Sequence, residues 1–196
     1  MHVDVDLSRF ENPEYDPGRS WLIRSLWFFL GLPLLRCSIL PSSTFRRWLL
    51  RSFGAEIGPG AVIKPGVQVK HPWFLKAGKN CWLGENCWID NVGPVALGDN
   101  VCISQGAYLC TGNHDWKDPA FGLIVSPIRV GDGAWVAARA SLGPGTVVGH
   151  GAIVAFGAVV SGNVPPLEIY GGNPAVYLRS RAVQEKDAAM IMALHS

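Results

Sequence analysis

The sequence is poor in charged residues. Only 16 % of its 196 residues are Asp, Glu, Lys or Arg, whereas globular proteins average about 25 %. Long surface helices need charged side chains on their solvent-facing side, so the composition predicts few of them. The formal net charge is only +2. This argues against nucleic acid as a partner, because dedicated nucleic-acid binding usually needs a clustered basic face.

The sequence also lacks the cysteine and histidine patterns of metal sites and disulfide frameworks. Its five cysteines are an odd number with no secretory leader before them, and the spacings Cys81-x5-Cys87 and Cys102-x7-Cys110 contain no CxxC pair. No His-x4-His pair occurs either. We therefore expect no metal, a reducing cytoplasmic location, and cysteines that act as small apolar core residues.

Turn-forming residues, in contrast, are in excess. The chain contains 23 glycines and 14 prolines, together about 19 % of the residues where average usage is about 12 %. Because 48 % of the residues are hydrophobic, the chain can bury a core and is not a disordered low-complexity sequence. The composition predicts many short strands joined by tight corners within one domain.

A six-residue repeat runs through most of the chain. In the second half, aliphatic residues mostly followed by Gly or Ala recur at Val130, Val136, Leu142, Val148, Val154 and Val160. Earlier, with slips of two residues before Leu83 and Leu97, the same period passes through Ile57, Ile63, Val69, Leu75, Leu83, Ile89, Leu97, Ile103 and Leu109. A period of six fits neither a helix nor a simple alternating strand, but it fits a short strand followed by a corner.

Three hexads would close one triangular coil, so the 15 hexads predict about five stacked coils, each covering the apolar face of the next. This repeat resembles that of the hexapeptide-repeat acetyltransferases, which include galactoside and maltose acetyltransferases. The stretch from Trp88 to Trp116 is most similar to the subgroup of colanic-acid and other exopolysaccharide biosynthesis. The resemblance implies an all-β, left-handed parallel β-helix, although the general rule for parallel crossovers predicts the opposite hand.

The predicted organisation has three parts: an N-terminal helical segment (1–54), the β-helix (55–164) with an active-site loop (111–127), and a closing segment with a C-terminal helix (165–196). Residues 20–53 are rich in apolar residues and arginine, but their uncharged run, 25–35, is only 11 residues long. About 20 are needed to span a bilayer. We expect two short helices, broken at Pro33 and Pro41, that either cap the first coil or lie on the inner face of a membrane.

The repeat is interrupted between Leu109 and Val130, and the interruption contains Asn113, His114 and Asp115. Loops that leave a regular scaffold often carry function. The position resembles the active-site loop of the family, which implies that His114 is the general base for direct acetyl transfer from acetyl-CoA to a sugar hydroxyl. An imidazole suits this role, since its unperturbed pKa is near neutrality. The alternative is a catalytically silent scaffold for other polysaccharide enzymes.

Further polar residues are candidates for binding the acceptor. Asp90 and Asn91 either form a corner of the coil, as Asp and Asn favour turns, or contact the acceptor. Asn113 lies beside the predicted base, and Asp115 either orients His114 or caps the loop turn. Trp135 matches a tryptophan that lines the cleft between donor and acceptor in relatives, or it packs in a trimer.

For acetyl-CoA, the resemblance implies binding along one edge of the solenoid. Ala138 and Phe156 are one coil apart, and backbone amides at these positions hold the pantetheine arm in the family. The segment 170–175, which includes Asn173, resembles the family's closing signature near the adenine. The residues that would meet the nucleotide phosphates are Arg179, Arg139 and Arg181. Family members are homotrimers with sites between subunits, which would bring His114 to Trp135 and Ala138 of a neighbour.

Overall fold

Short parallel strands stacked on three faces form the body of the protein. The computed structural model describes residues 5–39 and 42–182. With strands numbered in chain order, the first face contains β1 (Glu56–Ile57), β4 (Leu75–Ala77), β7 (Val95–Leu97), β12 (Ile128–Val130), β15 (Val147–Val148) and β18 (Asn163–Val164). The second contains β2 (Val62–Ile63), β5 (Trp82–Leu83), β8 (Cys102–Ile103), β13 (Trp135–Val136), β16 (Ile153–Val154) and β19 (Glu168–Gly172). The third contains β3 (Gln68–Val69), β6 (Trp88–Asp90), β9 (Tyr108–Cys110), β14 (Ser141–Leu142) and β17 (Val159–Val160).

The predicted repeat is confirmed strand by strand. Each of the 15 predicted aliphatic residues lies in one of these strands and is buried. Two further strands, β18 and β19, add a sixth rung to the first and second faces, so the solenoid has about six turns rather than five. The core is a single column of aliphatic side chains that also contains Cys81 and Cys87. Burial raises the pKa of the Cys87 thiol to about 12, so it acts as an apolar core residue.

Coil length changes along the solenoid, which explains the slips in the repeat. In the early coils, Ile57 lies opposite Ala77, 20 positions later. In the later coils, Val136 lies opposite Val154, 18 positions later. The two extra residues widen the first face, where both Leu75 and Ala77 of β4 point into the core.

The N-terminal helical segment continues through Pro33, where the sequence predicted a break. Helix α1 (Trp21–Leu26), a π-helical turn (Trp27–Gly31) and α2 (Leu32–Arg36) follow one another without a break. Pro33 lies in the first turn of α2, where its missing N–H is tolerated, so the predicted break at Pro33 is wrong. The predicted break at Pro41 lies outside the described residues. None of the helices within 5–39 and 42–182 is long and apolar enough to cross a membrane.

Helix α3 (Ser43–Ser52) covers the first coil. Its Arg47 donates to the Ala61 carbonyl, and Arg51 donates to the Ile57 carbonyl. The Ser43 hydroxyl accepts from the N–H of Ile63. These contacts satisfy backbone groups that the first coil would otherwise expose, as the capping interpretation predicts.

At the other end, β19 pairs in antiparallel fashion with β20 (Ala175–Ser180). This hairpin covers the last coil and is the described part of the predicted closing segment. The predicted C-terminal helix, 182–196, lies outside the described residues from residue 183 onward.

Candidate active site

The interruption of the repeat is a β-hairpin that projects from the solenoid. Strands β10 (Gly112–His114) and β11 (Leu123–Val125) pair in antiparallel register, and His114 lies opposite Leu123. The chain leaves the third face after β9 and returns to the first face at β12. The hairpin therefore stands at the corner between these two faces, with His114 at the end of its first strand.

The His114 ring is fixed by two contacts with Phe121. Its Nδ1 lies 2.9 Å from the Phe121 carbonyl oxygen, and the two rings stack with centroids 4.4 Å apart and planes inclined by 8°. Because a carbonyl oxygen can only accept, the hydrogen bond requires Nδ1 to carry the proton in the neutral ring. Nε2 then carries the lone pair, which is the state that a general base needs.

The N-terminal segment, which contains a short 3₁₀ helix (Leu7–Arg9), packs on this hairpin through residues 6–12, a contact that sequence reasoning missed. The Phe10 ring lies 5.7 Å from the His114 ring, centroid to centroid. The Asn12 side chain accepts from the N–H of Leu123, and the N–H of Asp6 donates to the Pro119 carbonyl. The segment is polar and has no periodic pattern, so the sequence carries no signal for these long-range contacts.

Beside His114 is a small pocket of about 170 Å³, lined by Lys70, Asp90, Val92, Cys110, Gly112, His114 and Leu123. Asp90 is its main polar group. One carboxylate oxygen lies 2.9 Å from the Lys70 ammonium, and the other accepts a 2.9 Å hydrogen bond from the Tyr108 hydroxyl. Burial, together with hydrogen bonds to Cys110 and Asp90, raises the pKa of Tyr108, so its hydroxyl stays protonated as a donor.

The other polar candidates near the hairpin separate into different roles. Asn91 is fully buried, and its carboxamide accepts from the N–H and donates to the carbonyl of His71 one coil away. The prediction that Asn91 contacts the acceptor is not supported, because both ends of its side chain bond to the backbone. Asp115 accepts from the N–H of Lys117, so it caps the loop turn. Asn113 is exposed and its side chain accepts from the N–H of His114.

A second concavity of about 420 Å³ lies on the second face, lined by Ser104, Gln105, Trp135, Ala137, Ala138, Ile153, Ala155, Phe156, Ile169 and Arg179. It brings four predicted residues together: Trp135, Ala138, Phe156 and Arg179. The Trp135 indole donates a 2.8 Å hydrogen bond to the Ser104 hydroxyl, which fixes the ring along the wall. The lining is mostly apolar, in contrast to the pocket at His114.

Arg139 and Arg181, predicted as phosphate ligands, lie on two different edges. Arg139 is exposed at the corner beside Ala138, with a φ of 58° in the left-handed region that Gly and Asn occupy at comparable corners. Arg181 instead donates to the carbonyls of Gly133 and Gly151, at another corner of the coil. The predicted phosphate role of Arg181 is not supported, because its guanidinium bonds to the backbone there. Asn173 lies in the exposed turn between β19 and β20.

The His114 pocket and the groove of the second face do not meet within one chain. One is at the corner between the third and first faces, and the other lies on the second face. In residues 5–39 and 42–182, His, Cys, Asp and Glu side chains form no group of three or more that could hold a metal ion.

Comparison with known proteins matches this architecture. Two family profiles align with the repeat: "Hexapeptide repeat of succinyl-transferase" at residues 75–110 and "Bacterial transferase hexapeptide (six repeats)" at residues 127–162. WcaF of Escherichia coli (strain K12), a protein assigned to colanic acid biosynthesis as an acetyltransferase, is 34 % identical over 180 residues, or 92 % of this chain and 99 % of WcaF. The chain belongs to the hexapeptide-repeat acetyltransferase family.

Two further relatives are less similar to the chain in sequence. The galactoside O-acetyltransferase of Escherichia coli (strain K12) is 26 % identical over 137 residues, which cover 68 % of each chain. A hexapeptide-repeat acetyltransferase from Vibrio cholerae O1 biovar eltor, solved in complex with acetyl-CoA, superimposes with a TM-score of 0.78 at 23 % identity and covers 90 % of this chain and 97 % of its own. The family resemblance seen in the sequence is thus confirmed, and so is the β-helix.

Proposed function

We propose that the protein transfers an acetyl group from acetyl-CoA to a hydroxyl of a sugar in exopolysaccharide synthesis. The observation that carries this proposal is the hydrogen bond between His114 Nδ1 and the Phe121 carbonyl. Because Nδ1 carries the proton, Nε2 has the free lone pair that a general base needs. WcaF and galactoside O-acetyltransferase, named as acetyltransferases of colanic acid biosynthesis and of galactosides, support a sugar acceptor.

The transfer needs no covalent intermediate on the enzyme. The acceptor hydroxyl oxygen attacks the thioester carbonyl carbon while His114 Nε2 takes the hydroxyl proton. The C–S bond then breaks, and the proton passes from His114 to the leaving sulfur. The products are an O-acetyl sugar and free coenzyme A. The carboxylate of Asp90 and the exposed carboxamide of Asn113 can form hydrogen bonds with neighbouring hydroxyls of the sugar.

The groove of the second face fits the pantetheine arm of acetyl-CoA. Among the described residues, no acceptor is found for the backbone N–H groups of Ala138 and Phe156, whereas the next N–H along, at Arg139 and Gly157, donates to the neighbouring coil. Two unpaired N–H groups one coil apart can donate to the amide carbonyl oxygens of an extended chain that lies along the solenoid axis. Arg179, which lines the groove, and Arg139, at the corner beside Ala138, would meet the nucleotide phosphates, and Asn173 lies in the turn between β19 and β20.

A complete site requires the edges of two chains. Since His114 and Trp135 lie on different faces, the proposed arrangement is a homotrimer in which the His114 pocket of one subunit closes on the groove of the next. The complex of the Vibrio cholerae relative with acetyl-CoA supports the donor in this proposal.

The test is release of coenzyme A thiol from acetyl-CoA in the presence of free sugars, nucleotide sugars and lipid-linked sugars. The proposal expects release that depends on one acceptor class and on His114. For His114→Ala, we expect a loss of about 10²–10⁴-fold in kcat, as is typical for removing a general base, with acetyl-CoA binding retained by calorimetry. Lys117→Ala, which changes an exposed side chain of the same loop outside the His114 pocket, is the matched control for disturbance of the loop. Absence of acceptor-dependent release across the panel would instead favour the scaffold alternative.

A further inference from the structure

The helical segment 21–36 has one buried stripe and one exposed apolar face. Trp27, Gly31 and Leu35 are buried against the solenoid, and the Trp27 indole donates to the Val69 carbonyl. On the opposite side, Leu22 is 60 % exposed, Leu26 43 % and Phe29 70 %. The exposed residues follow at spacings of four and three, which is one face of a helix.

This outer face contains many exposed hydrophobic side chains close together in the sequence. Within 21–34, the large hydrophobic side chains that are exposed are Trp21, Leu22, Ile23, Leu26, Phe28, Phe29, Leu30 and Leu34. An exposed apolar surface of this extent marks an interaction site. Tryptophan and phenylalanine are suited to the boundary between lipid headgroups and acyl chains.

The charge around this face has a single sign. Segment 21–36 contains two arginines, Arg24 and Arg36, and neither Asp nor Glu occurs from residue 17 to residue 55. Arg36 is exposed and lines an open apolar groove of about 600 Å³ together with Phe28, Phe29, Leu32, Pro33 and Cys37. Arginine beside exposed aromatic and aliphatic residues is complementary to anionic headgroups over acyl chains.

We propose that the outer face of segment 21–36 docks the protein on an anionic lipid surface. The helix would lie in the interface rather than cross it, since it spans only residues 21–36. The occupant is a bilayer rather than a protein groove because the face combines exposed Leu, Phe and Trp with arginine alone.

The docking face is linked to the His114 pocket by residues that line neighbouring cavities. A cleft of about 340 Å³ between the helical segment and the third face shares Phe28 and Leu32 with the groove at Arg36. The same cleft shares Lys70 with the pocket that contains His114. If the proposed acetyl transfer holds, docking through this face presents the pocket to a sugar carried at the membrane surface. This step rests on the proposed function, but the docking itself does not.

The experiment is flotation of the full chain with vesicles of phosphatidylcholine alone and of phosphatidylcholine with phosphatidylglycerol. We expect flotation with the anionic vesicles and little with the neutral ones. Leu22→Ser combined with Phe29→Ser should lower the bound fraction about tenfold, because both side chains are mostly exposed and would lose burial in lipid. Val159→Ser, which removes an exposed aliphatic residue on the third face, is the matched control and should float like the parent.

The charge contribution has its own pair of variants. Arg36→Gln should weaken flotation severalfold at low salt, while Arg129→Gln, at an exposed position on the first face, should not. Equal flotation of the parent and the Leu22→Ser, Phe29→Ser variant would overturn the proposal. So would a smaller oligomer of that variant in light scattering, which would show that a second copy covers the face.

Activity toward a water-soluble acceptor distinguishes the two proposals. The Leu22→Ser, Phe29→Ser variant should keep full acetyl transfer to such an acceptor while it loses flotation. Flotation of a parent protein that shows no acetyl transfer would leave docking supported and the proposed function refuted.

Discussion

The His114 pocket and the groove of the second face are built in different ways. In the pocket, the polar atoms come from side chains of separate elements: His114 from the hairpin, Asp90 from β6 and Lys70 from the coil below. In the groove, the lining is mostly apolar, its polar side chains include Ser104, Gln105 and Arg179, and the backbone N–H groups of Ala138 and Phe156 lie at corners of the coil. Under the proposed function, chemistry and acceptor choice depend on individual side chains, whereas binding of an extended donor depends on the regularity of the solenoid.

The largest effect is expected when the pocket is inactivated in one chain and the groove is blocked in another. His114→Ala removes the proposed base, and Ala138→Trp fills the groove that Ala138 lines. Each homo-oligomer should be inactive. After co-refolding in equal amounts, about a quarter of the sites should combine an intact pocket with an intact groove, if neighbouring subunits share each site.

Activity of the mixture measures this recovery, and the two variants mixed without refolding are the control. An inactive co-refolded mixture that still forms mixed oligomers would mean that both regions act within one chain.

Asp90→Asn sharpens the pocket side of the comparison. The amide keeps an oxygen for the Tyr108 hydroxyl but loses the charge that faces Lys70 at 2.9 Å. We expect the KM for the acceptor to rise about tenfold, the range of a hydrogen bond to a charged group, while the KM for acetyl-CoA stays unchanged. An effect on acetyl-CoA alone would place Asp90 on the donor side.

Trp135→Phe tests the groove. The ring is retained, but the hydrogen bond to the Ser104 hydroxyl is lost. We expect a rise of about threefold in the KM for acetyl-CoA, the size of one neutral hydrogen bond. Ser104→Ala should give the same change, and the double variant should add little because both remove one interaction. Additive effects would show that the indole and the hydroxyl act separately.

The smallest effect concerns stability rather than activity. Burial, with the charges of Lys70 and Arg24 nearby, lowers the pKa of His71 from 6.5 to about 4. The unfolded chain therefore binds a proton at His71 below pH 6.5 while the folded chain stays neutral there, so stability falls as the pH drops from 6.5 toward 4. His71→Phe keeps a ring against Trp73, which stacks on His71, and should lose less stability on acidification. Urea denaturation at pH 7 and pH 5 measures the difference, and identical losses would contradict it.

The sequence predicted the two regions unequally well. The groove follows from the repeat, since Ala138 and Phe156 are one coil apart and the period places them on one edge. The hairpin was visible as the break in the period. By contrast, Asn91 and Asp90 are neighbours in sequence, yet one bonds to the backbone of the core and the other faces the pocket. Alternation along a short strand gives no sign of which neighbour turns outward at a corner.

Arg181 and Phe10 show a second limit. Arg181 is basic and close to the closing segment, but its carbonyl partners, Gly133 and Gly151, come from other coils. Phe10 reaches His114 although more than a hundred positions separate them in sequence. Neither contact follows a local period, so neither could be predicted without the folded chain.

The sequence by itself determined the β-helix, because a six-residue period of buried aliphatic residues and small corner residues has one economical packing: identical short strands stacked in register. It also determined that His114 lies where this packing is interrupted. The tertiary structure decided how His114 is held, which carboxylate lines its pocket, and which face of the N-terminal helix stays exposed. Phe121 holds His114 from within the hairpin, whereas the other features depend on contacts between residues far apart in the chain, which form only when the coils, the hairpin and the N-terminal segment pack together.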